Sequence, residues 1–268
     1  MRHVSNESTK DPAVKIAAHL HPQQASYAQI REAAIEAEEL GVDIIYNWDH
    51  FYPLYGDPDG AHFEAWTMLA SWAEVTNRVE IGCLVTCNSY RNPQLLADMA
   101  RTVDHISEGR LVMGIGSGWF ERDYDEFGYE FGTAGSRLLA LRDDLPKLID
   151  RMAIGNPAPN RRIPILIGGS GEKKTLNYVS QFADGWHSWW NDVWEHKNSV
   201  LKEWCERNER DSAEIARSVG VDTDKVEDWD ELFANLAAAE VDEVTLGKGG
   251  PDYDLAMVKR FVEWRDSL

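Results

Sequence analysis

Cysteine is scarce in this 268-residue chain: Cys83, Cys87 and Cys205 are the only three, and no Cys-x-x-Cys brings two together. That odd number, without a paired spacing, fits reduced thiols in a cytoplasmic protein rather than a disulfide framework. Positive charge is also short. The 27 Lys and Arg face 46 Asp and Glu, a net charge of −19. Such a balance argues against nucleic acid or an anionic membrane as partner. Any anionic ligand would need a local cradle of backbone N–H groups. No stretch approaches the roughly 18 consecutive apolar residues of a membrane span. The first dozen residues, Met1 to Pro12, are polar and expected to fray, and no signal peptide is expected because no apolar core follows a basic start. There is no low-complexity segment and no composition break that would mark a linker.

What is present is an alternation. Short apolar runs read as strands at Val14–Leu20, Asp43–Trp48, Val79–Thr86, Arg110–Trp119, Ile163–Ile167, Asp184–Trp190, Ile215–Val221 and Glu243–Leu246. Between them lie stretches with apolar residues at helical spacing, such as Leu95, Leu96, Met99, Ala100, Val103 and Ile106 after Asn92-Pro93. Gly41 and Gly109 end two of these helices. Pro146 lies inside another, which should kink or restart there. Glu121 to Phe131 reads as an acidic and aromatic loop. Eight strand–helix alternations predict an α/β fold, a (β/α)8 barrel over residues 13–268 as one domain. A doubly wound open sheet is the alternative, and the absence of Gly-x-Gly-x-x-Gly after the first strand counts against a dinucleotide-binding version of it.

In a barrel the site forms at the C-terminal strand ends. Gly114, Gly116 and Gly118 alternate along the fourth strand, so one face lacks side chains. Either something flat lies against that backbone or a neighbouring helix packs tightly against it. Gly168-Gly169-Ser170-Gly171, followed by Lys173 and Lys174 at a predicted helix start, suits an anion such as a phosphate. An ordinary strand-to-helix turn is the bland reading, and the spacing is not that of a P-loop. Asp49-His50 closes the second strand, where a histidine could exchange a proton or serve as a hydrogen-bonded structural residue. His19-x-His21 closes the first strand with both side chains on one side, as two ligands of a metal would lie, with His187 as a possible third. Five of the eleven tryptophans, Trp48, Trp119, Trp186, Trp189 and Trp190, cluster at predicted strand ends, as walls for a flat ligand or as packing.

Several stretches together resemble the luciferase-like monooxygenase superfamily, in particular its coenzyme F420-dependent oxidoreductases. They are Asp49-His50-Phe51, Val85 through Pro93, Val103-Asp104-His105-Ile106-Ser107, Gly109-Arg110 leading into Gly114 through Phe120, Pro164 through Leu176, and Ala183-Asp184-Gly185-Trp186. They run in order from about residue 14 to 190. The resemblance implies a luciferase-like TIM barrel that is a hydride-transferring enzyme, with coenzyme F420 or flavin mononucleotide (FMN) across the strand ends. His50 would be the proton donor or acceptor, with Asp49 beside it. A non-proline cis peptide is implied at Cys83–Leu84, pressing on the ring, with Thr86 and Asn88 at the ring edge. Ser117, Gly118 and Trp119 would border the cofactor tail, and Gly168, Gly169, Ser170 and Gly171 its phosphate. His19 and Trp186 would meet the small-molecule substrate. A homodimer is compatible with such a protein.

Three features depart from the family pattern. Trp119 stands where some deazaflavin enzymes carry a catalytic carboxylate. The link from Met152 to Arg162 is short, which would leave the site more open or completed by a partner chain. His19 is not a fixed family residue. The alternatives to a deazaflavin reductase are an FMN-dependent monooxygenase, a cofactor-binding protein without turnover, and a metal-dependent hydrolase built on His19 and His21.

Overall fold

The computed structural model describes residues 14–268, and the expected frayed tail lies outside the described residues. Eight parallel strand positions close into a barrel wrapped by helices. The chain runs β1 (Lys15–Leu20), α1 (Tyr27–Glu39), β2 (Ile44–Asn47), α2 (Ala65–Val75), then a third strand in two pieces, β3 (Glu80–Cys83) and β4 (Thr86–Cys87). It continues α3 (Pro93–Ile106), β5 (Leu111–Gly116), α4 (Glu121–Phe127), α5 (Ala134–Ala153), β6 (Ile165–Gly168), α6 (Thr175–Phe182) and β7 (Gly185–Trp189). It ends with α7 (Trp194–Arg207), β8 (Ala216–Gly220), α8 (Trp229–Ala238), β9 (Glu243–Lys248) and α9 (Ala256–Asp266). β1 pairs with both β2 and β9, and both pieces of the third strand pair with β5, which closes the ring.

The strands separate two apolar layers by their period of two. Ile16, Ala18 and Leu20 of β1, Leu111, Met113 and Ile115 of β5, and Val244 and Leu246 of β9 point out into the main core beneath the helices. Ala17, Ile44, Tyr46, Val112 and Leu166 point inward and fill the barrel's lower end with Leu84 and Val85. Further along the same inward rows the residues turn polar or small, and that change opens the site.

Helix ends are fixed locally. Ser26 and Gln29 form a capping box on α1, and the Asn92 side chain accepts from Gln94 N and Leu95 N at the start of α3. Three expectations change. Residues 121–127 form a helical turn rather than a loop. α5 runs unbroken through Pro146, because the proline and the Arg142 carbonyl it leaves unpaired both face solvent. Lys173 and Lys174 precede α6 rather than occupying its first turn.

The interruption of the third strand decides the barrel's interior. The Leu84–Val85 peptide is cis, one residue later than the resemblance implies. The chain bulges inward there, and three glycines make room. A Cβ on Gly114 would overlap the Cys83 carbonyl oxygen, one on Gly116 would sit 2.7 Å from Val85 Cγ2, and one on Gly168 2.9 Å from Val85 Cγ1. The side-chain-free face of β5 is therefore filled by the bulge, neither by a helix nor directly by a ligand. Gly114→Ala should cost about 3 kcal/mol or more, since backbone has to move. Gly135→Ala in α5, where a Cβ meets nothing closer than 3.6 Å, should be neutral or gain up to about 1 kcal/mol. Urea unfolding of the two variants checks this, and equal stabilities would show that the trough is not tight.

Candidate active site

The C-terminal strand ends surround a cleft of about 970 Å³. Leu84 and Val85 form part of its floor, with Gly116, Gly168 and Gly169 beside them. His19 and His21, from inward positions of β1 and its end, meet Trp48 at one side. The His21 ring stacks on Trp48 with centroids 4.1 Å apart, and His19 meets both edge-on. Trp119 and Trp189, each 63% exposed, stand at the mouth. A broader groove of about 1150 Å³ adjoins the cleft, bordered by Trp190, Glu195, Asp228 and Glu231.

His50 is the best-defined chemical group of this cleft. Its Nδ1 lies 2.7 Å from Asp123 Oδ2. Asp123 is fully buried and also accepts from Phe51 N (3.1 Å), Tyr52 N (3.2 Å) and the Tyr90 hydroxyl (3.0 Å). Donors alone surround that carboxylate, so it holds the His50 Nδ1–H tautomer and leaves Nε2 for the cleft. Asp123 sits in the first turn of α4, in a stretch read from sequence as a loop. Its only signal there was an acidic residue among aromatics.

Asp49, expected beside the reacting ring, lines the cleft next to His50, but its carboxylate is engaged by other groups. It takes a two-pronged bond from Arg91 (2.6 and 2.9 Å) and one from Cys87 N (3.0 Å). Burial raises its carboxyl and Arg91 works against that rise. Asp49 is thus a clamp on the segment leaving the bulge. Arg91 also reaches Glu64 at 2.5 Å, whose side chain caps α2.

Other expected contacts are redistributed by the one-residue displacement of the bulge, which swaps the faces of the residues after it. Thr86 points outward and accepts from Trp66 Nε1 at 3.2 Å, and Asn88 donates to Asp144 at 3.0 Å, so neither borders the cleft. Cys83 belongs to the outer core. Cys87 takes the cleft-facing position, its thiol 3.2 Å from the Tyr124 hydroxyl and pushed up by burial. Leu84, Ser117, Gly118, Trp119, Gly168, Gly169 and His19 do line the cleft. Ser170 and Gly171 are exposed beyond its rim. Trp186 is buried behind the barrel wall, stacked on Trp194, and donates its Nε1–H to the Gly169 carbonyl at 2.8 Å. It shapes the glycine loop and does not face a substrate. The short link after α5 lies at the opposite end of the barrel. Asn160 N donates to Asp104, and Arg161 reaches Glu80 and the Leu111 carbonyl. Among the described residues no cluster of three His, Cys, Asp or Glu side chains forms a metal site.

Sequence reading passes over Val85, Arg91 and Asp123 as parts of this assembly, although it singles out the stretches that hold the first two, and it names His187 only as a possible metal ligand.

Residues 13–143 match the model of the luciferase-like monooxygenase family. The F420-dependent glucose-6-phosphate dehydrogenase of Amycolatopsis mediterranei is 27% identical over 192 residues, 64% of this chain and 56% of that protein. The enzyme of the same name from Kribbella flavida is 31% identical over 140 residues, 52% and 41% of the two chains. The chain thus spans little more than half the length of the curated relatives it matches. Among solved structures, an F420-dependent secondary alcohol dehydrogenase in complex with an F420-acetone adduct superimposes with a TM-score of 0.77 at 18% identity, covering 93% of this chain and 97% of that one. The coenzyme F420-dependent tetrahydromethanopterin reductase from Methanopyrus kandleri gives 0.71 at 16%, covering 93% and 97%. At these identities the likeness is one of fold.

The histidines make stability pH-dependent. Burial lowers His21, His62 and His187 to about 4 from 6.5, and His19 also falls well below it. The unfolded chain takes up protons near pH 6.5 and the folded chain only near 4, so stability is lost as pH falls through that window. Urea unfolding should show a clear drop between pH 7 and pH 5. His62→Gln should flatten it, because protonating His62 breaks the Trp48 Nε1–H bond to its Nε2 (3.0 Å). A pH-independent midpoint would contradict the neutral assignment.

Proposed function

From the match of residues 13–143 to the luciferase-like monooxygenase family model, we propose that the chain belongs to that family and is an oxidoreductase moving a hydride between coenzyme F420 and a small organic substrate. The observation that carries this reading is the pairing of a flat, glycine-bordered floor at Leu84–Val85 with a buried-carboxylate-oriented histidine at the same cleft. The fit to a tricyclic ring rests on two features. Gly116 and Gly168 seat Val85 against bare backbone, and the aromatic rings of Trp48 and Trp119 stand at its sides, each edge-on to His50 with centroids 6.0 and 5.6 Å away. Bound there, a deazaflavin would supply hydride chemistry.

The chain's own residues have separate tasks in this reading. Leu84, Val85, Gly168 and Gly169 would bed the ring and its tail, with Ser117 and Gly118 alongside. His50 Nε2 would give or take the proton that accompanies hydride transfer, and Asp123 would keep that nitrogen in the required state. Asp49 and Arg91 would hold the bulge in place. The rim opposite the bulge carries Asp222, Asp224 and Asp254 against Lys248. That lining disfavours a phosphorylated substrate and suits a neutral one.

His50→Gln and Asp123→Asn should each bind coenzyme F420 within about twofold of the parent and lose roughly 10²- to 10⁴-fold in kcat. Undiminished turnover in both would remove the proton role. Fluorescence titrations with coenzyme F420 and with FMN test the cofactor. Binding of the deazaflavin alone is expected. Binding of FMN alone would turn the reading to oxygen-dependent monooxygenase chemistry, and binding of neither would end it.

A further inference from the structure

A second polar system runs through the barrel interior below the cleft and reaches the cleft wall at His187 and Thr245. Its residues occupy inward positions of three adjacent strands. His187 of β7 stands opposite Ser218 of β8, and Ser218 opposite Glu243 of β9. His187 Nδ1 is 2.7 Å from Ser218 Oγ, and Ser218 Oγ donates to Glu243 Oε1 at 2.7 Å. Thr245 Oγ1 also donates to Oε1, at 3.0 Å, and the Tyr46 hydroxyl donates to Oε2 at 3.2 Å. Glu243 and Ser218 are both buried.

The direction of this chain follows from counting protons. A serine hydroxyl has one proton to give. Burial raises the Glu243 carboxyl, and the hydroxyls of Ser218, Thr245 and Tyr46, all donating to it, work against that rise, so the Ser218 proton is committed there. Ser218 Oγ can then meet His187 only as an acceptor, and His187 Nδ1 must carry a hydrogen. Burial keeps the ring neutral at pH 7. Its Nε2 is then a bare lone pair. No hydrogen-bond partner for it exists among the described residues, and His187 lines the cleft beside Gly168, Gly169 and Gly220. Gly220 and the Trp189 ring flank this nitrogen: a Cβ on Gly220 would stand 3.5 Å from Nε2 and 3.1 Å from the ring. A merely structural histidine would have both nitrogens satisfied.

We propose that His187 is a second proton-handling residue of the cleft, with Ser218 and Glu243 as positioning residues, and that its Nε2 takes the hydroxyl proton of an alcohol substrate. The inference rests on the oxidoreductase reading and deepens it to a substrate class. The substrate's O–H bond breaks to His187 Nε2, its carbinol C–H hydrogen leaves with the electron pair to an oxidised deazaflavin, and the electrons left on oxygen form the carbonyl. The alcohol is oxidised and the deazaflavin reduced. The reverse reaction returns the proton from His187 to the carbonyl oxygen. Two proton-handling positions on opposite walls, His50 and His187, separate the proton needs of the cofactor side from those of the substrate.

The test uses the full chain without cofactor. Side-chain ¹⁵N NMR at pH 7, with His187 assigned by its loss in His187→Asn, should show Nδ1 protonated and Nε2 bare. Ser218→Ala should move the ring toward the Nε2–H tautomer, and 2-propanol should shift the Nε2 resonance saturably in the parent chain. His187→Asn keeps a donor for Ser218 but nothing at the Nε2 position. It should bind coenzyme F420 as the parent does and turn over 2-propanol at least about 10²-fold more slowly. An Nε2–H tautomer in the parent, a tautomer indifferent to Ser218→Ala, or a resonance that ignores 2-propanol would overturn the proposal. Failure to bind coenzyme F420 would instead strike the oxidoreductase reading while leaving the tautomer result to judge the relay.

Discussion

The seating of Val85 in a trough of bare backbone is the contact on which the rest of this barrel depends. A third strand that ran straight would pair with β5 along its whole length and close the barrel top with side chains. The bulge at Leu84–Val85 replaces that with a backbone step, and it can do so only because Gly114, Gly116 and Gly168 vacate the volume. The step brings Cys87, rather than Thr86 or Asn88, to the cleft. It also places the Cys87 amide where Asp49 can accept it. Asp49 and Arg91 then lock the far side of the step. Removing either partner of that buried pair would strand a charge, at a cost of roughly 3–5 kcal/mol.

From that step the two polar systems acquire their places. Both use a buried carboxylate ringed by donors, and both use it to fix a histidine tautomer. Asp123 takes its donors from two amides, a tyrosine and His50, at the rim of the cleft. Glu243 takes its donors from Ser218, Thr245 and Tyr46, inside the barrel. Among the described residues neither carboxylate has an arginine or lysine hydrogen-bonded to it, so hydroxyls, amides and an imidazole rather than an ion pair compensate its burial. Such an arrangement specifies where protons sit and spreads each carboxylate's negative charge over its neutral donors.

Much of this was legible in the residues. Strand and helix order followed from periodicity, because β1, β5 and β9 alternate cleanly and α3 carries a continuous apolar stripe. His50 and the glycines of β5 and β6 stood out by type and position. The partner of His50 did not, because Asp49 is adjacent in sequence whereas Asp123 arrives from 73 residues away on a helical turn too short to show a period. The glycine-rich face was noticed, but its occupant could not be read, since a bulge's register is set by packing rather than by composition. A one-residue error in that register sent Thr86 and Asn88 to the wrong face. The relay was hidden in plain alternation: positions 187, 218, 243 and 245 all share the inward parity of their strands, and only the closed barrel reveals that they touch.

The account turns on the bulge being the bed of a flat cofactor beside His50. A crystal structure of the chain with coenzyme F420 tests this most directly. The ring should lie on Leu84–Val85 with one edge toward His50 and its tail passing Ser117 and Gly118 or the Gly168-Gly169 turn. A ring bound instead in the neighbouring groove along Trp190, Glu195 and Glu231, with the bulge uncovered, would contradict the account.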